Sequence, residues 1–400
     1  MKEKLKSFGG ALKSYVMLFV LVIIVLLFQA ITGGTLLTST NVFNLINQNA
    51  YIMILAIGML MCILTGGNVD LSVGSVIGFS GATMATMMQN GVNPYLALLA
   101  GLAIGIFVGA WNGFWIAYIK IPPFITTMAG MFIFRGATMM VLTGGKTISP
   151  LPEQFTGLAS GYIGTSETSG TICFAAGVAL AILFAFAQVF SYLRQKRNGY
   201  LVESPVIMGI RTLIIAAGII WLFTTMSIER GIPVVLITVG VVALIYNYIT
   251  QRTVLGRHLY ALGGNAKAAR LSGVNNDKIM FLVYTNMGFL SAVAAVAYCS
   301  RINAATAAAG TGSEMDAIAA CFIGGAAATG GIGTVGATLV GALIMGVMNN
   351  GMSILGLGYD MQQAVKGVVL IIAIAFDVIT KQKTLTPIIE GIRRRFSGNK

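Results

Sequence analysis

From Tyr15 onward the chain alternates long apolar runs with short polar breaks. The runs fall at 15–31, 50–65, 71–89, 95–119, 124–143, 171–193, 207–226, 232–250, 279–300, 316–329, 333–356 and 362–380. Most approach the roughly 20 apolar residues that carry a helix across a hydrocarbon core about 30 Å thick. They lack the apolar–polar alternation of a membrane barrel strand, and Tyr15–Ala30 is apolar almost throughout. The pattern predicts an all-α integral membrane protein, a polytopic helical bundle of ten to twelve spans folded as one transmembrane domain over 1–400. Twelve crossings put both basic ends on one side. The run 316–329 is short and rich in Ala and Gly. It reads as a broken or re-entrant piece that other helices must bury, and ten crossings is then the alternative. The basic start followed by Tyr15–Ile31 mimics a signal peptide, but its apolar run is long and no small-residue cleavage site follows, so it reads as the first span.

Two breaks stand out. Thr65–Ser75, with Gly66, Gly67 and Asp70, interrupts the apolar pattern after a short span, and Asp70 followed by Leu71 and Ser72 reads as an acidic anchor at the start of the next helix. Phe322–Gly336, with Gly324 and Gly325, repeats the theme of an apolar pair and a Gly pair, an echo that suggests two related halves, as in many transporters. Gly144–Gly170 is the longest loop on the side opposite the termini, either a docking surface or a simple connector. Gly101, Gly105, Gly109 and Gly113 repeat every fourth residue, a groove for close helix packing.

Charge sharpens this picture. Charged residues make up 9% of the chain against 56% hydrophobic ones, far below the roughly one quarter charged of soluble proteins. The net charge is +13, and 20 of the 25 basic residues fall on one side if both termini face the cytoplasm. That is the positive-inside pattern, so the charge reports topology and no nucleic-acid partner is expected. Cys62, Cys173, Cys299 and Cys321 are scattered through apolar segments and read as buried free thiols, with no metal-ligand spacing.

The most polar internal stretch is the loop Gln251–Lys278, with five basic residues against the single acid Asp277. Within it, Gly263 and Gly264 predict a turn, Asn265 a helix N-cap, Ala266–Leu271 a short helix, and Ser272 with Gly273 its C-cap. A capped helix between two spans suits insertion into a partner's groove; the bland reading is a solvated connector. On the first reading, Ala269→Glu is expected to abolish partner attachment without affecting membrane insertion.

Other motifs fail on context. Gly331–Gly336 matches GxGxxG but lies in Gly/Ala membrane sequence without the strand and acid of a dinucleotide site. Gly144–Thr147 resembles the end of a phosphate loop, but Met140 stands where the leading Gly belongs. Arg135 is the clear mid-span charge, and an ion pair or a pathway role are equally open to it. Lys366 and Asp377 sit where they can snorkel from the last helix, and His258 reads as a surface residue. No carboxylate is evident in the middle of a span, which counts against a proton- or sodium-driven carrier.

The segments Gly67–Ser75, Leu262–Val274, Glu314–Ala320 with Ile323–Gly325, Gly330–Gly336, Asn349–Gly351 and Gln362–Gly367 occur in that order. Together they resemble the ribose/xylose-type sugar permeases of bacterial ATP-binding-cassette importers, and the match spans most of 40–380. The resemblance implies a homodimeric permease in the bacterial inner membrane with both termini cytoplasmic, and no cofactor of its own. It implies a separate, double-cassette ATPase that holds ATP and Mg, and a periplasmic or lipid-anchored sugar-binding protein. It assigns ATPase coupling to Gly263, Gly264, Asn265, Ala268, Ala269, Arg270, Ser272 and Gly273. An apparent insertion around 191–232 adds a helix pair relative to ribose permeases and points to a pentose or related aldose. Candidates to line the passage are Asn44, Asn47, Gln48, Asn49, Asn349 and Asn350, for each of which helix capping or interhelical bonding is an equal reading. The alternatives from other classes are an ion-coupled carrier and a passive channel.

Overall fold

The computed structural model describes residues 2–163, 169–199 and 204–382, with side chains within 17–375. Glu167, Lys383, Arg393, Arg394, Arg395 and Lys400 lie outside it, as do the side chains of Lys2, Lys4, Lys6, Lys13, Asp377 and Lys381. The described chain is almost wholly helical: α1 Lys2–Ile31, α2 Ser39–Leu64, α3 Val73–Gln89, α4 Pro94–Ala117, α5 Pro123–Val141, α6 Glu153–Ser160, α7 Ser169–Arg197 and α8 Pro205–Ile228. They are followed by α9 Val234–Arg252, α10 Val254–Gly264, α11 Ala266–Leu271, α12 Asn276–Ile302, α13 Ser313–Ile323, α14 Val335–Ile354 and α15 Tyr359–Gln382. Two short strands, β1 Tyr162–Ile163 and β2 Ile232–Pro233, pair antiparallel.

Among the described residues eight of these helices are long and apolar enough to cross a membrane. The remaining predicted crossings are α1 with its apolar stretch Met17–Ile31, the short α3, α13 with its flanking chain, and α15. The protein is a polytopic helical membrane protein. Each predicted run coincides with one of these segments. The largest shift is in α2, which starts at Ser39 rather than near residue 50. Asn41, Asn44, Asn47 and Gln48 kept its first turns out of the apolar pattern, yet their amides sit on regular helix.

Following the helices, loops gather at two ends. The basic end holds Lys120, ion-paired with Asp277, and the segment Gln251–Lys278 with its five basic residues. At the far end Ile148 bridges Ala305, β1 pairs with β2, and Thr40 donates to Glu229. The far-end loop after α5 is packed down: Phe155 is fully buried and its carbonyl accepts from Ser300 Oγ.

The buried centre is α2, sheathed by α12, α13 and α14, with Ile54–Leu64 almost free of solvent contact. The glycine groove of α4 meets α12 as its spacing predicts. A Cβ on Gly105 would press on Ala292, one on Gly109 on Tyr284 and Thr285, and one on Gly113 on Phe281. Side-chain-free positions let the two backbones approach. By contrast α7 and α8 form a largely exposed hairpin, joined by Gly177 against Phe223 and by the bond from Arg211 to Gln188. This peripheral pair consists of Ser169–Arg197 and Pro205–Ile228.

The crossing around 316–329 is broken. After α12 the chain 303–312 runs without helix, and α13 gives only eleven helical residues. The non-helical 324–334 then reaches the basic end, where Gly331 N donates to Leu64 O. Both stretches are packed in protein, the condition under which irregular backbone survives at membrane depth.

Candidate functional site

At the basic end Thr253 caps α10, its side chain accepting from Gly256 N at 3.2 Å. Asn265 is extended and its Oδ1 accepts from Ala268 N at 3.0 Å, opening α11 as predicted. Ser272 ends the helix, and Gly273, at φ +86°, takes the left-handed step that a side chain would oppose. Gly263 and Gly264 form no turn; they are the last residues of α10, and the direction changes at Asn265. Lys267, Ala268 and Arg270 are exposed. Ala269 is 5% exposed and packs in the main core. A glutamate there would bury a charge in the protein itself, so Ala269→Glu reads out folding and not docking. The residue that stands out is Leu271, 90% exposed. An apolar residue within a polar stretch was the signal, and the helix context gives it meaning.

The basic end is organised by a glycine junction where three non-adjacent segments meet. A Cβ on Gly263 would collide with Leu64 O and Gly331 N and lie 2.9 Å from Gly331 Cα. One on Gly330 would strike Gly66 and lie 2.9 Å from Gly67 N, and one on Gly67 would strike Ala328 O. Gly67 also has φ +76° and Gly330 φ +83°. The two sequence breaks, at Gly66–Gly67 and after Gly324–Gly325, thus meet beneath the α10–α11 corner. Gly324 has no room for a side chain beside Ala337 and Thr338, and Gly325 is at φ +86°. Gly331–Thr334 is non-helical up to the start of α14, with Gly331 at φ +71°. Tyr260 OH donates to Gly333 O at 2.7 Å and accepts from Gln251 Nε2 at 3.2 Å. Burial pushes the Tyr260 phenol up, against the smaller opposite effect of Gln251, so it stays a protonated donor.

Asp70 does anchor the start of α3, its Oδ1 accepting from Ser72 N at 2.8 Å and Ser72 Oγ at 2.6 Å. Ser72 Oγ in turn accepts from Asn112 Nδ2 at 2.9 Å, tying the break to α4. Arg135 Nη1 donates to Ala307 O at 3.0 Å and Ala309 O at 2.8 Å. It satisfies carbonyls that the unwound 303–312 leaves without helical partners.

Two sequence readings change. Lys366 does not snorkel; its Nζ lies 3.0 Å from Asp316 Oδ1 and donates to Oδ2 at 3.1 Å, with the side chains 14% and 7% exposed. Asp316 is therefore a buried carboxylate within the bundle, which the sequence reading did not find. It shares a cavity with Gln48 and Tyr51, about 14–18 Å along α2 from Ser39 at 1.5 Å per residue. Standing at the head of the short run 316–329, it looked like a terminal residue. The non-helical 303–312 draws it inward.

The six amide candidates divide. Asn44, Asn47 and Gln48 line a far-end cavity of about 580 Å³ with Tyr162, Glu229, Arg230 and Arg301. Asn47 Nδ2 also back-bonds Phe43 O at 3.1 Å. Asn49 is buried, donates to Leu45 O at 2.7 Å and fills the space beside Gly346. Asn350 exchanges two hydrogen bonds with Asn41, at 2.8 and 3.0 Å, clamping α14 to α2. Asn349 Nδ2 donates to Asp316 Oδ2 at 3.3 Å.

This arrangement, a helical membrane bundle with an exposed capped helix keyed to two broken crossings, was compared with known proteins. Residues 41–374 match the family described as branched-chain amino acid transport system / permease component. The chain belongs to that family of transport permeases. It is 36% identical over 387 residues to the xylose transport system permease protein of Haemophilus influenzae, covering 95% of this chain and 99% of that one. The xylose transport system permease protein of Escherichia coli K12 is 36% identical over 379 residues, 93% of each chain. The ribose import permease protein of Bacillus subtilis is 34% identical over 379 residues, 94% of this chain and 96% of its own. No solved structure matches. The family match covers both cavities, the glycine junction and α11.

Proposed function

We propose that this protein is the permease subunit of an ATP-driven importer of a monosaccharide, a pentose such as xylose or a related aldose. The observation that carries the reading is the α10–α11 corner: a short, capped, exposed helix whose supporting helix is locked by Gly263 and Tyr260 to both broken crossings. A connector has no need of such fixing; a lever does. The sugar class rests on the kinship with xylose and ribose permeases along nearly the whole chain.

On this reading the basic end faces the cytoplasm, the multi-pass chain resides in the bacterial inner membrane, and two copies enclose the passage. A separate double-cassette ATPase hydrolyses ATP, and an extracytoplasmic binding protein delivers sugar to the far-end cavity. Affinity resides in the binding protein, so the permease needs only a weak polar passage, which Asn44, Asn47 and Gln48 begin. Leu271, with Lys267, Ala268 and Arg270 around it, enters a groove of the ATPase. Burying most of a leucine side chain contributes about 1.5–3 kcal/mol. When ATP closes the ATPase pair, α11 and α10 move together. Displacement passes through Gly331 and Gly333 to the 324–334 stretch and so to α13.

The ion-coupled reading has buried carboxylates on its side, Asp70 and Asp316. The charge of Asp316 is already met by Lys366, and Asp70 Oδ1 accepts from Ser72 N and Oγ. The test is co-purification with the candidate ATPase, then uptake of labelled xylose, ribose and leucine into liposomes. ATP- and binding-protein-dependent uptake of an aldose supports the proposal. Leucine uptake, as the family description would suggest, or ATP-independent uptake driven by an ion gradient, rejects it.

A further inference from the structure

We propose that the cavity between α2, α13, α14 and α15 is a sugar subsite within the passage, where Asp316 and Asn349 accept hydrogen bonds from adjacent hydroxyls of one monosaccharide. This rests on the sugar-permease reading and adds to it a place and two recognising groups.

The cavity has a volume of about 220 Å³. That is below the roughly 300–1,000 Å³ of pockets for drug-sized ligands and suits a single small polyol. It shares Gln48 and Arg301 with the larger far-end cavity, so a solute leaving one meets the other next.

Its chemistry offers both acceptors and donors, with Gln48, Tyr51 and Arg301 on the donor side. Lys366 and Asn349 both direct their hydrogen bonds to Asp316 Oδ2. Asn349 Oδ1 is buried and, among the described residues, carries no hydrogen bond, while Asp316 Oδ1 is met only by the Lys366 ammonium at 3.0 Å. Two rim donors are already engaged: Gln362 Nε2 donates to Leu357 O at 2.9 Å, and Gln363 Nε2 to Tyr359 OH at 2.5 Å. Buried acceptors without donors are costly to leave unmet. The complementary ligand brings neighbouring hydroxyls, which donate to Asp316 and Asn349 and accept from Gln48 and Arg301, and it needs no cation, since Lys366 already balances the carboxylate. Vicinal diols of an aldose meet this description. An apolar amino acid would set its side chain against amides and a carboxylate.

The test uses the complete complex with its ATPase and binding protein in proteoliposomes, with labelled D-xylose and D-ribose as probes. The readout is sugar moved per ATP hydrolysed, so that a general loss of complex cancels. Asn349→Leu and Asp316→Asn should each lower this ratio about tenfold, the equivalent of one lost hydrogen bond of ordinary strength. Asn349→Gln, which keeps an amide oxygen, should recover most of it. An unchanged ratio in Asn349→Leu overturns the proposal. Should the variants fail to assemble, hydrogen exchange on the wild-type permease decides: D-xylose should protect the backbone of α13 and α14, leucine should not, and equal protection by both or by neither overturns it. If the wild-type complex hydrolyses ATP yet moves no aldose, it is the parent reading that fails.

Discussion

Gly263→Ala, set against Gly264→Ala, isolates the junction that links the α10–α11 corner to the membrane crossings. Both residues are helical, so alanine is favoured at each by about 0.5–1 kcal/mol on backbone grounds. At Gly264 the added methyl meets nothing within 4 Å. At Gly263 it meets backbone on two sides, Leu64 O and Gly331 N, and no rotamer can relieve that. Gly331 Cα at 2.9 Å must withdraw by about 0.5 Å to reach the 3.4 Å of ordinary contact, and the nearer atoms by more. The hydrogen bond from Gly331 N to Leu64 O, 3.1 Å long, spans the same gap and is lost. Overpacking costs about 1–3 kcal/mol and the bond about 1 kcal/mol. Less the helix gain, the net is about 1–3.5 kcal/mol, a factor of roughly 5–400 in the equilibrium holding the junction closed. Thermal unfolding in detergent and ATP-driven uptake in proteoliposomes read this out. Gly263→Ala should lower Tm and uptake sharply, while Gly264→Ala should keep wild-type uptake with Tm at or slightly above wild type. Indistinguishable behaviour of the two variants would refute the lever argument.

Other positions give sharper separations of docking from folding. Leu271→Asp should abolish co-purification with the ATPase while leaving Tm within error, because the side chain touches little of its own chain. Ala269→Glu should do the reverse of a docking variant and lower Tm even in the isolated permease. Arg135→Met should destabilise by about 3 kcal/mol, since two charge-assisted bonds to unwound carbonyls are lost, and Arg135→Lys should recover only part of this. Lys366→Met should cost about 3–5 kcal/mol by stranding the Asp316 charge, and adding Asp316→Asn should restore most of the Tm.

The sequence made the crossings legible because apolar runs of about 20 residues have few alternatives in a bilayer. It also delimited α11, where Asn265 and Gly273 carry their caps in their own chemistry. Failures came where tertiary contact decides. The start of α2 was hidden by amides that are polar in composition but helical in place. Leu271 was visible as an apolar residue in a polar stretch, but only the fold shows that it turns outward while Ala269 turns inward. Asp316 and Lys366, fifty positions apart, look like helix-end charges until the unwound 303–312 brings them together. The glycines of the two breaks were visible, but their meeting beneath α10 was not, since nothing local in Gly66–Gly67 or Gly330–Gly331 names its partner.

The central claim is that ATP hydrolysed by a partner moves sugar through this chain by way of α11. Its most direct test compares labelled D-xylose uptake into liposomes holding the permease with its ATPase and binding protein, using wild-type and Leu271→Asp chains. The account predicts ATP-dependent uptake by the wild type and its loss in the variant, with equal permease incorporation. Uptake that persists in Leu271→Asp, or that follows an ion gradient with no ATPase present, contradicts it.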